Sequence, residues 1–410
     1  MKRVILFFLL LISVLSLHSQ PLPFSDNAVV SLITCSPGKE VYARFGHTAI
    51  RINDPATNND VVFNYGIFDF NTKNFYLKFI KGETDYKLGA YDFDSFLPEY
   101  ENRNSAVWEQ VLNLNQSEKE KLIRLLLINY EPENRIYRYN FVFDNCSTRP
   151  RDKIIEAIDG YLAYKLPEPD ETFRELIDKY ISDDAWLKLG IDIIFGDEAD
   201  RKATRRESMF LPEILMSEFQ GADICPIQGS RERHPLVSQY NILVDKKPEE
   251  NKSLSFLFQP FSVFTFLLLL CVLFCFKNRR YHRTLKVFDT VLFSLAGLVG
   301  CVIFFLSFIS VHPLVSSNFN ILWLNPLLIF AAVMQWFKTL RFATFCLQLL
   351  NSVLLLIALI LLIPSFHYVN ISYLPIILLL LVRTLNYLIV RLKRGIKVGK
   401  TKIKYSFKRH

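Results

Sequence analysis

An α+β domain followed by an α-helical bundle of five transmembrane spans is the fold class that the sequence predicts, and three observations predict it. Charge is split along the 410 residues. From Phe256 onward there are 17 Lys+Arg and one carboxylate, Asp289, net +16, whereas the first 255 residues hold 31 Lys+Arg against 39 Asp+Glu, net −8. Long apolar stretches fall in the basic half and at the extreme N-terminus. In the acidic half β-like runs come first and helical patterns follow, without the alternation of a doubly wound sheet. The overall charge of +8 therefore belongs to one half, whose cations lie between apolar runs and could not clamp a phosphate backbone. No nucleic acid partner is expected, and a single soluble core is excluded.

Residues 1–19 read as a signal peptide: Lys2 and Arg3 precede an apolar run over 4–17, and Ser19 offers a small residue before Gln20. Residues 20–255 form the exported domain. Residues 29–34 are β-like and lead into the turn Cys35-Ser36-Pro37-Gly38. Two alternating segments, 46–52 and 61–67, joined by the Asn/Asp/Pro-rich stretch 53–60, read as a hairpin. Ser117-Glu118-Lys119-Glu120 reads as a capping box opening an amphipathic helix to about Asn129, stopped by Pro132. Residues 137–143 are aromatic and extended. Asp144-Asn145-Cys146-Ser147-Thr148-Arg149-Pro150 then reads as a strand-to-helix junction, with Pro150 in the first turn of a helix to about Asp159 and Gly160 as its cap. Thr172 with Glu175 and Thr204 with Glu207 open further helices.

Residues 256–392 form the membrane domain, with spans at about 260–276, 287–311, 322–337, 342–363 and 373–390. A crossing helix needs about 20 apolar residues, and the first and third are short. Lys277, Arg279, Arg280, Arg283 and Lys286 lie between spans one and two, Lys338 and Arg341 between three and four, and nine Lys/Arg from Arg391 to Arg409 follow the last. Loops 312–321 and 364–372 carry none. Positive charge marks the cytoplasmic side, so the basic tail, 393–410, is expected there and the exported domain opposite.

Cys271, Cys275, Cys301 and Cys346 fall in spans and read as small packing residues. Cys35, Cys146 and Cys225 remain in the exported domain, an odd number for an oxidising compartment. Cys35 and Cys225 are the pair open to a disulfide, which would leave Cys146 as the odd thiol. Cys146 has the setting of a nucleophile, because a helix N-terminus favours thiolate and free N–H groups there, in the region of Asn145, can hold an oxyanion. Its partner is a histidine, and after the signal the domain offers His47 and His234. His47 sits on the hairpin strand after Gly46; His234 lies in a polar loop beside Pro235. Pairing Ile52 with Val61 brings Asn64 near Ala49, on the face of His47, so Asn64 is the candidate to orient the imidazole, with Tyr65 and Asp69 behind it. A buried thiol and a hydrogen-bonded strand histidine are the plainer alternative. No metal or other cofactor is expected.

Phe45-Gly46-His47-Thr48-Ala49-Ile50-Arg51-Ile52, Phe63-Asn64-Tyr65-Gly66-Ile67-Phe68-Asp69-Phe70 and Asp144 to Asp152 resemble the Lnb N-terminal periplasmic domain family, as does the lead-in Leu32 to Gly38. His312-Pro313, then Asn318, Asn320, Trp323 and Asn325-Pro326, resemble that family's membrane region. His before Cys, with Asn-Cys at a helix start, is also the order of circularly permuted papain-like (NlpC/P60-like) enzymes that cleave or transfer acyl groups through a Cys thioester. The resemblance implies a lipoprotein N-acyltransferase of the bacterial cytoplasmic (inner) membrane. Its expected partners are a phospholipid acyl donor, a diacylated lipoprotein acceptor and the membrane lipids. It makes Arg149 and Arg151 candidates for the donor phosphate, with salt bridges to Asp144, Asp152 or Glu156 as the alternative. Likewise His312, Asn318 and Asn320 become candidates for lining lipid entry, against a plain interfacial loop. Arg383, inside the fifth span, is either functional or snorkelling. Two other readings stay open: a membrane-anchored papain-like peptidase or amidase acting on cell-wall peptides, and a non-enzymatic assembly factor with a structural Cys146.

Overall fold

The structure, a computed structural model, describes residues 23–68, 73–227, 232–247, 255–279, 285–363 and 370–406. The expected signal peptide, Asp69 and the end of the basic tail lie outside them. In chain order the N-terminal domain contains β1 (Val29–Cys35), β2 (His47–Asp54), β3 (Asn59–Ile67), α1 (Phe75–Lys81), β4 (Asp85–Asp92), α2 (Phe93–Asn102), β5 (Val107–Leu112), α3 (Gln116–Tyr130), β6 (Ile136–Arg138) and α4 (Thr148–Ala157). It continues with β7 (Gly160–Tyr164), α5 (Phe173–Ile181), α6 (Ala185–Ile194), α7 (Arg205–Ser208), α8 (Pro212–Gln220), β8 (Ala222–Pro226), β9 (His234–Pro235) and β10 (Val237–Val244). The second half holds α9 (Pro260–Arg279), α10 (Lys286–Phe308), α11 (Leu327–Met334), α12 (Arg341–Leu361) and α13 (Tyr373–Ser406).

Seven strands pair antiparallel in the order β10-β5-β1-β2-β3-β4-β6, and β7-β8-β9 form a second, small sheet. β1 lies inside the large sheet and is buried over six of its seven residues, as a near-continuous apolar run requires when both faces are covered. On one face Leu32, Ile50 and Phe63 pack with Leu122 and Leu126 of α3, Ile154 of α4 and Phe219 of α8. On the other, Ile33, Ala49 and Val62 meet Phe93, Phe96 and Tyr100 of α2. The mixed α and β content matches expectation, but the strands are not all early: β10 returns to pair with β5.

Local signals were mostly placed within a residue or two. Thr172 and Thr204 close capping boxes with Glu175 and Glu207. The helix expected to start with Ser117 is capped two residues earlier, by Asn115 with Glu118, a frame that turns Leu122, Ile123 and Leu126 inward. α4 ends at Ala157 and Gly160 opens β7 rather than capping. Of the aromatic segment 137–143 only Tyr137 and Arg138 are strand, in β6; Asn140 and Asp144 bridge a turn after it.

Among the described residues, three helices are long and apolar enough to cross a membrane: α10, α12 and residues 373–393 of α13. The expected spans at 260–276 and 322–337 form shorter apolar helices. Basic residues begin at Lys277 in the first, and Pro326, which lacks an N–H, starts the helix only at Leu327 in the second. Arg383 does not snorkel. It is fully buried, forks onto Asp289 (2.5 and 2.8 Å) and donates to Cys275 Sγ (2.9 Å), so the one carboxylate of the basic half has a structural partner. Removing it strands a buried guanidinium. Asp289→Ala should lower stability by roughly 3–5 kcal/mol, measured by thermal unfolding in detergent, while Asp289→Asn should recover part of it.

The two halves are docked by polar contacts. Asp192 of α6, buried, takes Arg174 (3.1 Å) and the Asn370 amide (2.8 Å) from the loop before α13. Gly196 N–H donates to Leu314 O (2.8 Å), and a Cβ there would sit 1.6 Å from Ser316 O, so only glycine allows this approach. Trp186 Nε1 donates to Phe258 O at the start of the membrane domain (2.9 Å).

Candidate active site

The hairpin register brings the site together. Ala49 pairs with Asn64 and Ile52 with Val61, so His47 and Asn64 project from neighbouring strands on one face, as β alternation dictates. His47 Nε2–H donates to Asn64 Oδ1 at 2.6 Å. That bond leaves Nδ1 for the Cys146 thiol, which is the other hydrogen-bond partner of the ring. Tyr100 of α2 lies nearly parallel to the imidazole, centroids 6.3 Å apart.

Cys146 stands just ahead of α4. Asn145 builds that helix start: its Oδ1 accepts from Ser147 N (2.8 Å) and Thr148 N (2.9 Å), its Nδ2 donates to Phe141 O and Phe210 O, and its own N–H goes to Thr148 Oγ1. The Asn145 side chain is thus fully committed to the turn that presents Cys146. The donors reaching the sulfur are the backbone N–H groups of Thr48 and of Cys146 itself.

Charge in the pair is set by competing effects. Burial pushes the Cys146 thiol up, but attraction to His47, their hydrogen bond and the two N–H groups outweigh it and lower its pKa. Burial pushes His47 down, yet the Cys146 thiolate, its hydrogen bond and Asn64 raise it overall, against opposition from Arg103. Both shifts favour thiolate facing imidazolium. Aromatic hydroxyls close to the sulfur stay neutral: burial first and the thiolate second push Tyr86 up to about 12 and Tyr137 and Tyr139 well above the usual phenol range. Gly66 (φ +98°) forms the wall opposite, since a Cβ there would lie 3.6 Å from Cys146 Cβ and 3.9 Å from His47 Cε1. The same dihedral would strain any side chain. A cleft of about 690 Å³ lined by Arg44, Arg103, Lys179 and Glu213 lies to one side, and neither Cys146 nor His47 lines it. Asn64→Ala should free the ring to rotate and lower the His47 pKa, cutting Cys146 alkylation at neutral pH about 10- to 100-fold, measured with iodoacetamide.

Other expected site residues are placed differently. Cys35 and Cys225 are both free thiols. Cys35 is on β1, paired with His47, and Cys225 is on β8 of the other sheet, paired with Tyr161, so the disulfide left open by the sequence is not formed. Burial pushes the Cys35 thiol up and keeps it protonated, beside Tyr100. Tyr65 faces away from His47 and donates to Asn129 (2.7 Å). Arg149 forks onto Asp144 (2.5 and 2.8 Å) and lies 3.6 Å over the Tyr137 ring. Arg151 is buried on Asp152 (2.7 Å) and the Arg206 carbonyl (2.5 Å). Both guanidinium groups therefore hold structure in this geometry. Asn318 and Asn320 donate to Ile193 O (2.9 and 3.1 Å), and His312 donates to Phe79 O (2.7 Å), so all three join the membrane loop to the N-terminal domain. Sequence reasoning missed Tyr100, Gly66 and the Thr48 N–H. Gly66 carried a signal, a glycine interrupting the alternation of a strand; the other two depend on contacts between distant elements.

A strand His held by Asn against a helix-start Cys, on a domain docked to apolar helices, defines a membrane protein with an extramembrane domain carrying a Cys–His pair. Two family models match the chain: the Lnb N-terminal periplasmic domain over residues 24–179 and the Lnb transmembrane domain over residues 249–395. The chain belongs to the Lnb family, and the two domains make it an inner-membrane protein with a periplasmic N-terminal part. No curated protein and no solved structure matches it.

Proposed function

We propose that the chain is a lipoprotein N-acyltransferase working by a Cys146 thioester, and the observation that carries this is the Asn64–His47–Cys146 relay within a domain of the Lnb family. The Cys146 thiolate attacks an ester carbonyl of a phospholipid, and the N–H groups of Thr48 and Cys146 are aimed to hold the oxyanion. Collapse breaks the C–O bond, His47 Nδ1–H protonates the departing lysophospholipid oxygen, and the thioester remains. The α-amine of a lipid-modified N-terminal cysteine then attacks the thioester, His47 takes the amine proton, the C–S bond breaks and the amide leaves. Donor and acceptor are both membrane-bound, which accounts for a catalytic domain bolted to spans. His47 preceding a helix-start Cys146 supports a permuted papain-like arrangement.

Connectivity supports five crossings and a cytoplasmic C-terminus. The chain just before α9 and just after α10 touches the N-terminal domain, through Phe258 and Val311, which supports one crossing by each helix. Asn320 and Asn370 touch it too, which supports two further crossings between them, by the apolar segment containing α11 and by α12, with α13 as the fifth.

Mass spectrometry of lipoprotein N-termini in a depleted strain tests the function. Diacylated, free-amine forms should accumulate; unchanged triacylated forms with altered wall peptides would replace this reading with a cell-wall amidase.

A further inference from the structure

We propose that α1 is seated in the outer face of the bilayer and is the entrance by which the donor's acyl chain reaches Cys146. This rests on the acyltransferase reading for its chemistry but not for the seat of the helix. α1 presents Tyr76 (76% exposed), Leu77 (55%), Phe79 and Ile80 to its surroundings. A soluble surface rarely gathers so much apolar area on two turns. Its height is fixed by the membrane domain: Val311 N–H donates to Lys81 O (2.8 Å) and His312 Nε2–H to Phe79 O (2.7 Å), and both residues follow directly on the crossing helix α10. α1 thus lies level with the end of a span, where Tyr side chains and snorkelling Lys78 and Lys81 suit the headgroup boundary. The occupant of the apolar face is bilayer lipid, because the face is continuous with the surface the spans already present to it.

From α1 a row of rings runs inward. His312 meets Phe79 (6.3 Å between centroids), Phe79 meets Phe75 (6.0 Å), Phe75 meets Phe68 (6.0 Å), Phe68 meets Tyr86 (5.1 Å) and Tyr86 stacks on Tyr139 (4.1 Å). Phe68 of that row stands two residues beyond Gly66, where a Cβ would lie 3.6 Å from Cys146 Cβ, and Tyr86, Tyr139 and Cys146 pack against one core cluster, so the row comes in beside the nucleophile. A continuous apolar row is what an acyl chain needs to leave the leaflet without crossing water, at roughly 0.8 kcal/mol per methylene kept dry.

The test uses full-length protein in phospholipid vesicles and the triple variant Tyr76→Ser/Leu77→Ser/Ile80→Ser, whose sites are exposed. Thioester formation on Cys146 from vesicle phospholipid should fall at least about tenfold, while the rate with monomeric dihexanoyl phosphatidylcholine stays within about twofold. Equal rates on vesicles, or parallel loss with both donors, would overturn the proposal. If the wild type forms no thioester from either donor, the acyltransferase reading fails instead. The seat of α1 is then decided by Tyr76→Trp: its added emission should be quenched by brominated phospholipid, and quenching by aqueous acrylamide alone would refute it.

Discussion

Cys146→Ala should abolish acyl transfer, lowering turnover by roughly 10⁴-fold or more, about 5.5 kcal/mol of transition-state stabilisation. No other thiol can take over. Cys35, the strand partner of His47, is fully buried and held protonated, and Cys225 lies on the second sheet. The substitution removes one sulfur at a partly open position, and the helix start is held by Asn145 with Ser147 and Thr148, so folding should be unaffected. Thermal unfolding within about a degree of wild type, together with loss of turnover, separates a nucleophile from a structural thiol.

His47→Gln comes next in size. In the wild type the thiol pKa is lowered and the imidazole pKa raised, so the reactive ion pair forms as pH rises through the Cys146 value and is lost as pH rises further through the His47 value. Activity should follow a bell-shaped curve. Without the imidazolium, burial is left as the main influence on the thiol, whose pKa then rises to or beyond the ordinary range near 8.5. Iodoacetamide alkylation near pH 7 should fall more than tenfold and recover as pH rises, its midpoint displaced upward. Turnover should fall by roughly 10³-fold or more, because the leaving oxygen also loses its proton donor. An unchanged alkylation profile would mean that His47 does not set the charge of Cys146.

What the sequence made legible was local or periodic. The hairpin fixed the Ala49–Asn64 register, because alternation permits one pairing of 46–52 with 61–67. The Asn-Cys helix start was readable because Asn145 caps through its own neighbours, Ser147 and Thr148. Pairings between distant residues were not readable. β10 reaches β5 across more than a hundred residues, Tyr100 reaches His47 from α2, and Asp192 meets Asn370 across 178 residues. The polar loop residues Asn318 and Asn320 illustrate the ambiguity. Polar side chains in a membrane loop suit substrate or docking equally well, and Ile193 O, which receives both, is visible only in the fold. Cysteine counting left the pairing open for a related reason: Cys35 lies on one sheet and Cys225 on another, a separation that arithmetic cannot express.

The most direct measurement is the intact mass of the purified protein after incubation with phospholipid vesicles and no acceptor, followed by peptide mapping. A mass gain of one acyl chain on the peptide containing Cys146, removed by neutral hydroxylamine and absent in Cys146→Ala, is the predicted result. Protein that N-acylates an added diacylated lipopeptide while never carrying an acyl group on Cys146 would contradict the thioester mechanism.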